Sequence, residues 1–283
     1  MKRITIPATI DLLNAEGITA HTIVIHKNDA PKVAICIKDI NARPILYEDM
    51  LYEMMDEATE SSDLVKLLRG HFSTQSGFDH KKIVQKEAIL SNIIPVLYGG
   101  DYALYLYKNE NALMRKFAGT VATFFRVEID NSHFFIVSKA ILKTAGIKEE
   151  DAVEAAFRNL KPRVRTLSAA LADLSGRPEE FFDAGELQPY VIDTHNILFG
   201  AAAIASEHVR QSLHKSIGDY YILPSSVHEV IVLPASKKNN EAVNLVQMVK
   251  EINVTEVAPE EKLSDEVYFF DGRYLKAVNN MEM

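Results

Sequence analysis

Residues 220–232 read Tyr220-Tyr221-Ile222-Leu223-Pro224-Ser225-Ser226-Val227-His228-Glu229-Val230-Ile231-Val232, and this stretch decides the fold. Two apolar runs, Asp219 to Leu223 and His228 to Leu233, flank a turn rich in Pro and Ser. Nearly continuous apolar character predicts strands packed on both faces rather than on one. Moving outward, Tyr190 to Ile192 reads as a strand, 196–216 and 240–252 as helices, and Val267 to Phe270 as a last strand. The C-terminal part is therefore expected to be a βαββα unit closed by an added strand.

Upstream, Ile18 to His26 and Lys32 to Asp39 surround a short polar turn and predict a β-hairpin. Leu46, Met50, Leu51, Met54 and Ala58 recur at helical spacing, and Ser61-Ser62-Asp63 can cap a second helix that ends before Gly70. An amphipathic stretch runs from Asp79 to Leu90 and is interrupted by Pro95 and Gly99-Gly100, after which Tyr102 to Tyr107 looks like a strand. Thr120 to Ile129 and His133 to Val137 predict a second hairpin, and Ser138 a capped helix ending at Gly146. Glu149, Glu150 and Asp151 suit the positive N-terminal end of a further helix. The fold class is thus α+β, with mixed sheets built from hairpins and packed helices. Residues 1–160 form an N-terminal α+β region and 189–283 a C-terminal one. Residues 161–188, with Pro162, Gly176, Pro178 and Gly185, read as a linker or peripheral connection, within two domains or one continuous domain.

The 283 residues carry 39 acids against 31 bases, a formal charge of -8. That balance disfavours direct contact with nucleic acid or anionic lipid. No run of 18 apolar residues exists, and the basic N-terminus lacks the apolar run of a signal peptide, so a soluble, cytoplasmic protein is expected. The single cysteine, Cys36, excludes an intramolecular disulfide and a thiolate metal cluster. Phosphate-binding glycine loops, zinc-protease pairs and the nucleophile-elbow motif are all missing, so neither a cofactor nor a metal is expected.

One constellation of reactive side chains remains. Ser225, Ser226, His228 and Glu229 share the turn between the two apolar strands, and a hydroxyl, an imidazole and a carboxylate are the parts of nucleophilic catalysis. His228 and Glu229 are adjacent, so in a strand they point to opposite faces, and no local triad forms. The turn reads first as a hydroxyl-stabilised bend, second as a binding loop. A second polar cluster follows the last long helix and includes Thr255, Glu260, Glu261, Ser264 and Asp265, without the ligand spacing of a calcium loop. The candidate binding residues are Ser225, Ser226, His228, Glu229, Thr255 and Asp265. No catalytic residue is assigned; Ser225, Ser226 and His228 are the weak candidates.

Tyr221 to Pro234 (YILPSSVHEVIVLP) and Met248 to Phe269 (MVKEINVTEVAPEEKLSDEVYF), with weaker stretches at 131–133, 145–150 and 199–203, give the chain a resemblance to a known family. It resembles a bacterial family of unknown function, number 5688 of the domain-of-unknown-function series, common in anaerobic Gram-positive bacteria. The resemblance implies that both halves travel as one unit in a bacterial cytoplasmic protein of accessory kind. It carries no established catalytic or binding residue.

The leading expectation is a non-catalytic accessory or regulatory protein that binds another protein, with the 224–229 turn and the 253–265 loop as recognition surfaces. The alternatives are a hydrolase of small or peptide substrates using Ser225 or Ser226 with His228, and an acidic nucleic-acid mimic presenting Glu48, Glu53, Asp56, Glu57 and Glu60.

Overall fold

A computed structural model describes residues 4–27, 30–37, 45–58, 60–76, 80–129, 134–182, 188–195, 198–224, 226–235 and 241–278. Its contacts divide the chain into two compact units, Met1–Gln85 and Lys86–Met283.

The first unit contains α1 (Ile6–Ala15), β1 (Ala20–Lys27), β2 (Ala30–Ile37), β3 (Ile45–Tyr47), α2 (Glu48–Glu57), α3 (Ser61–Ser76) and α4 (His80–Ile83). The expected hairpin forms, with Ala20 opposite Ile37 and Lys27 opposite Ala30, while its turn residues Asn28 and Asp29 lie outside the described residues. The helical pattern assigned from Leu46 onward is a short strand first, because β3 pairs with β2, and α2 starts at Glu48. Leu13, Ile35, Leu46, Leu51, Met55, Leu64 and Leu68 make one core. The expected end of α3 at Gly70 is corrected: the helix runs on to Ser76, with Gly70 in its interior at a cost of about 1 kcal/mol against alanine.

The second unit begins with α5 (Lys86–Asn92), β4 (Ile93–Tyr98), α6 (Gly100–Asn109), β5 (Met114–Ala118), β6 (Val121–Glu128) and β7 (Phe134–Ile136). Here β6 is central, with β4 on one side and β5 and β7 on the other. Two readings are corrected. Pro95 does not interrupt a helix; it lies in β4, an edge strand, where a missing N–H can face away from the ladder. Tyr102 to Tyr107 is not a strand but part of α6: Ala103 and Leu106 are buried three apart, while Leu104 and Tyr107 are exposed. The second expected hairpin is β6–β7, with its turn outside the described residues. Then come α7 (Lys139–Ala145), capped by the Ser138 hydroxyl and closed by Gly146 at φ 65°, and α8 (Glu149–Asn159).

The chain continues through β8 (Pro162–Thr166), α9 (Leu167–Ser175), β9 (Tyr190–Thr194), a 3-10 turn (Gly200–Ala205) and α10 (Glu207–Ile217). It ends with β10 (Tyr220–Leu223), β11 (Val230–Pro234), α11 (Glu241–Thr255), β12 (Tyr268–Phe270) and β13 (Leu275–Ala277). The strands form a six-stranded antiparallel sheet in the order β13-β12-β10-β11-β9-β8. The stretch 161–188 thus supplies the edge strand β8 together with α9. The helix expected over 196–216 is shorter: a 3-10 turn precedes it, and Ser206 caps α10.

The two apolar strands are packed on both faces. Tyr220, Ile222, Val230 and Val232 join the main core with Ala201, Ala202 and Val209, whereas Tyr221, Leu223, Ile231 and Leu233 meet Leu245 and Val249 of α11. Among the described residues no helix is long and apolar enough to cross a membrane.

Candidate functional site

The β10–β11 connection is tied down by its own polar groups. The Ser226 hydroxyl accepts the His228 amide at 3.0 Å, which makes the hydroxyl-stabilised bend. The Val227 amide donates to the Glu261 carbonyl at 2.9 Å, and Ser226 bridges Lys262 across the following loop. The Ala201 amide reaches the Val227 carbonyl at 3.3 Å from a third segment. Where these three segments meet, a cleft of about 270 Å³ opens. Ser226, His228 and Glu229 line one wall, Glu256, Val257 and Glu261 another, and Leu198 the third.

His228 is held at both ring nitrogens. The Phe199 amide donates to Nδ1 at 3.2 Å, so Nδ1 carries the lone pair and the neutral ring holds its proton on Nε2. Nε2 lies 3.3 Å from Glu261 Oε1. The Phe199 ring packs against the imidazole at 5.5 Å between centroids. Phe199 itself has φ 57°, a left-handed conformation that an aromatic residue rarely adopts. Behind it, the buried Arg126 guanidinium lies 4.0 Å from the Phe199 ring and 4.7 Å from the Phe134 ring, and pairs with Glu128.

Glu229 lies off the strand. β11 starts only at Val230, so the expectation that His228 and Glu229 point to opposite faces does not hold, and both line the cleft. The ladder pairs Val230 with Ile192, and its continuation sets Glu229 beside the buried Asp193. Burial raises the Glu229 pKa above its ordinary 4.5; His228 draws it back, and Asp193 and Glu261 push it further up. A carboxyl whose folded pKa is raised binds its proton better in the folded state. Its ionisation therefore costs stability as pH rises from 4.5 through the folded value. Glu229→Gln is expected to raise the thermal midpoint at neutral pH, with the gain vanishing below pH 4.5, where Glu229 is protonated folded and unfolded alike. Thermal denaturation at the two pH values measures this.

Asp193 is clasped from the edge strand. Arg163 donates to both of its oxygens at 2.8 Å, and Arg165 adds a third bond at 2.6 Å while reaching Asp173 with its other arm. This trio was not singled out from the sequence. The signal was present: arginines two apart on a strand share a face, and an acid inside an apolar strand needs a cation.

The candidate residues from the sequence divide into three groups. Ser226, His228 and Glu229 come together at the cleft. Ser225 lies outside the described residues. Thr255 and Asp265 do not line the cleft; Thr255 bonds back to the Glu251 carbonyl, and Asp265 is held by Asn253 at 2.8 Å and Lys262 at 2.8 Å. Asp265 has its pKa lowered, burial opposing the Asn253 and Lys262 bonds that favour the carboxylate. No cluster of three or more His, Cys, Asp or Glu with metal-holding geometry exists among the described residues.

The model of a family of unknown function, DUF5688, matches residues 11–272. The chain belongs to the DUF5688 family. The match takes in nearly all of both compact units, so the cleft and the Asp193 clasp fall within the family region. No curated protein and no solved structure matches this DUF5688 chain.

Proposed function

We propose that this DUF5688 protein is a cytoplasmic accessory or regulatory protein, non-catalytic, that binds another protein through the cleft at His228. One observation carries the reading: the 224–229 turn and the 253–265 loop, expected as two recognition surfaces, both contribute residues to one cleft, Ser226, His228 and Glu229 from the first and Glu256, Val257 and Glu261 from the second. Glu229, Glu256 and Glu261 give it an acidic lining beside apolar Leu198 and Val257. A cationic side chain of a partner, with an aliphatic stem, suits such a lining.

The arrangement of Ser226 counts against the hydrolase alternative. Its hydroxyl accepts from the His228 backbone amide, and the imidazole nitrogens face Phe199 and Glu261 instead. A serine nucleophile needs the imidazole within hydrogen-bond reach of its hydroxyl.

Affinity capture from lysate, with the whole chain as bait, tests the proposal. The wild-type chain is expected to retain a stoichiometric partner that Glu229→Gln/Glu256→Gln loses by roughly tenfold, since rim and buried charges together contribute on that scale. Recovery of no partner under several growth conditions sinks it. So does labelling of wild-type protein by a serine-directed fluorophosphonate that disappears in Ser225→Ala or Ser226→Ala.

A further inference from the structure

We infer that His228 is a proton-operated latch that holds the Leu198–Phe199 wall of the cleft in place while the ring is neutral. The latch rests on geometry. The Phe199 amide donates to Nδ1 at 3.2 Å, so this bond exists only while Nδ1 is unprotonated. An imidazolium carries N–H on both nitrogens. Protonation therefore turns the contact into two donors facing one another, and the Phe199 amide loses its acceptor. The opposite side of the ring behaves in the reverse sense, because an imidazolium strengthens the contact from Nε2 to Glu261. The ring stays with Glu261 and lets go of Phe199.

What is released is a strained segment. Phe199 holds φ 57° and ψ 24° without the freedom of glycine. Loss of its amide bond removes one of the contacts that keep it there. Gly200, next in the chain, limits the motion: a Cβ built on it falls 2.6 Å from the His228 carbonyl and 2.6 Å from the Thr194 amide, so this backbone is wedged. The Phe199 ring is also held by Arg126. Gly200 thus bounds the opening on its C-terminal side, and the opening moves the Phe199 peptide and Leu198, which lines the cleft.

The charged groups facing His228 from the packed segments are Glu261 after α11, its chain neighbour Glu229, and Glu256 across the cleft, with Asp193 of β9 behind Glu229. Arg126 of β6 stands behind the Phe199 ring. The latch's consequence for partner binding rests on the cleft being the binding site proposed above; the latch itself belongs to the free protein.

Imidazole nitrogen and backbone amide resonances of the full-length free chain, followed from about pH 8 to about pH 5 across the range where histidines titrate, test it. The expected result is a neutral ring protonated on Nε2, and a Phe199 amide whose shift follows the His228 titration with the same midpoint. Phe199 amide exchange, corrected for its intrinsic pH dependence, is expected to quicken roughly tenfold on protonation. Two variants separate the latch from a general loosening. His228→Asn keeps an acceptor at the δ position and does not titrate, so Phe199 stays protected throughout. His228→Gln moves the polar group to the ε position, so Phe199 is unprotected throughout. A neutral ring protonated on Nδ1, a Phe199 amide indifferent to His228, or a His228→Asn chain that still responds to pH would each overturn the latch. Failure to capture a partner at about pH 8, with the latch titrating as described, overturns the partner reading alone.

Discussion

Gly200→Ala is expected to lower the stability of the protein by about 3 kcal/mol, the upper end of what overpacking a well-filled site costs. The added methyl carbon falls 2.6 Å from the His228 carbonyl oxygen, 2.6 Å from the Thr194 nitrogen and 2.8 Å from the Asp193 Cα. All three are backbone atoms, so no side chain can rotate out of the way. They belong to β9 and to the turn ahead of β11, whose separation is set by the sheet ladder. For a unit of this size the loss corresponds to a fall in Tm of roughly 6–12 °C. Gly146→Ala is the internal control. Gly146 sits at φ 65° with open space around it, so its substitution carries only the conformational cost of a left-handed residue, about 1 kcal/mol. Thermal and urea denaturation of the two variants side by side decide the matter. Equal losses would mean that close approach at Gly200 contributes nothing.

The reason Gly200 matters is not visible in the sequence, and the same holds for much of the site. Local signals were readable where one segment determines its own structure. Ser138 caps α7 and Gly146 ends it. The acids of Glu149 to Asp151 start α8, and the alternate packing of β10 and β11 follows from their apolar runs. Readings failed where a distant segment decided. Tyr102 to Tyr107 is a run of aromatic and aliphatic residues, alternating over its last four, and so imitates a strand, but burial at Ala103 and Leu106 follows helical spacing. Gly70 looks like a helix stop, yet α3 continues through it to Ser76. At the site, the Ser226–His228 bend is local and was legible. The pairing of Phe199 with His228 spans 29 positions, and that of His228 with Glu261 spans the whole of α11; no spacing rule reaches so far. Strand alternation misled at His228 and Glu229 because the strand had not yet begun.

Asp193→Ala is the second large effect, about 3 kcal/mol, and it reports on a pair that only the assembled sheet creates. Removing one member of a buried ion pair strands the other without its partner, which costs about 3–5 kcal/mol for full burial. The side chains of Arg163 and Arg165 are 22% and 17% exposed, so the lower end of that range applies. The two arginines are not equivalent. Arg165 keeps Asp173 at 2.6 Å after the substitution, whereas Arg163 has all of its side-chain bonds on Asp193. The stranded charge is therefore that of Arg163. In an Asp193→Ala background, Arg163→Met is expected to recover about 1–2 kcal/mol, by returning a desolvated cation to an apolar side chain, and Arg165→Met to recover less. Urea unfolding of the four chains measures it. A loss below about 1 kcal/mol for Asp193→Ala, in the range of an exposed pair, or equal recovery by both methionines, would show that the clasp is not the buried, asymmetric pair described. The consequence reaches the cleft, because the Asp193 charge is one of the causes that hold the Glu229 pKa up. Without it Glu229 ionises more readily, so the stability gained by Glu229→Gln at neutral pH is expected to shrink when Asp193 is already alanine. The edge strand and the cleft wall are then coupled through two carboxylates, and a change in the coupling energy of that double variant measures how strongly.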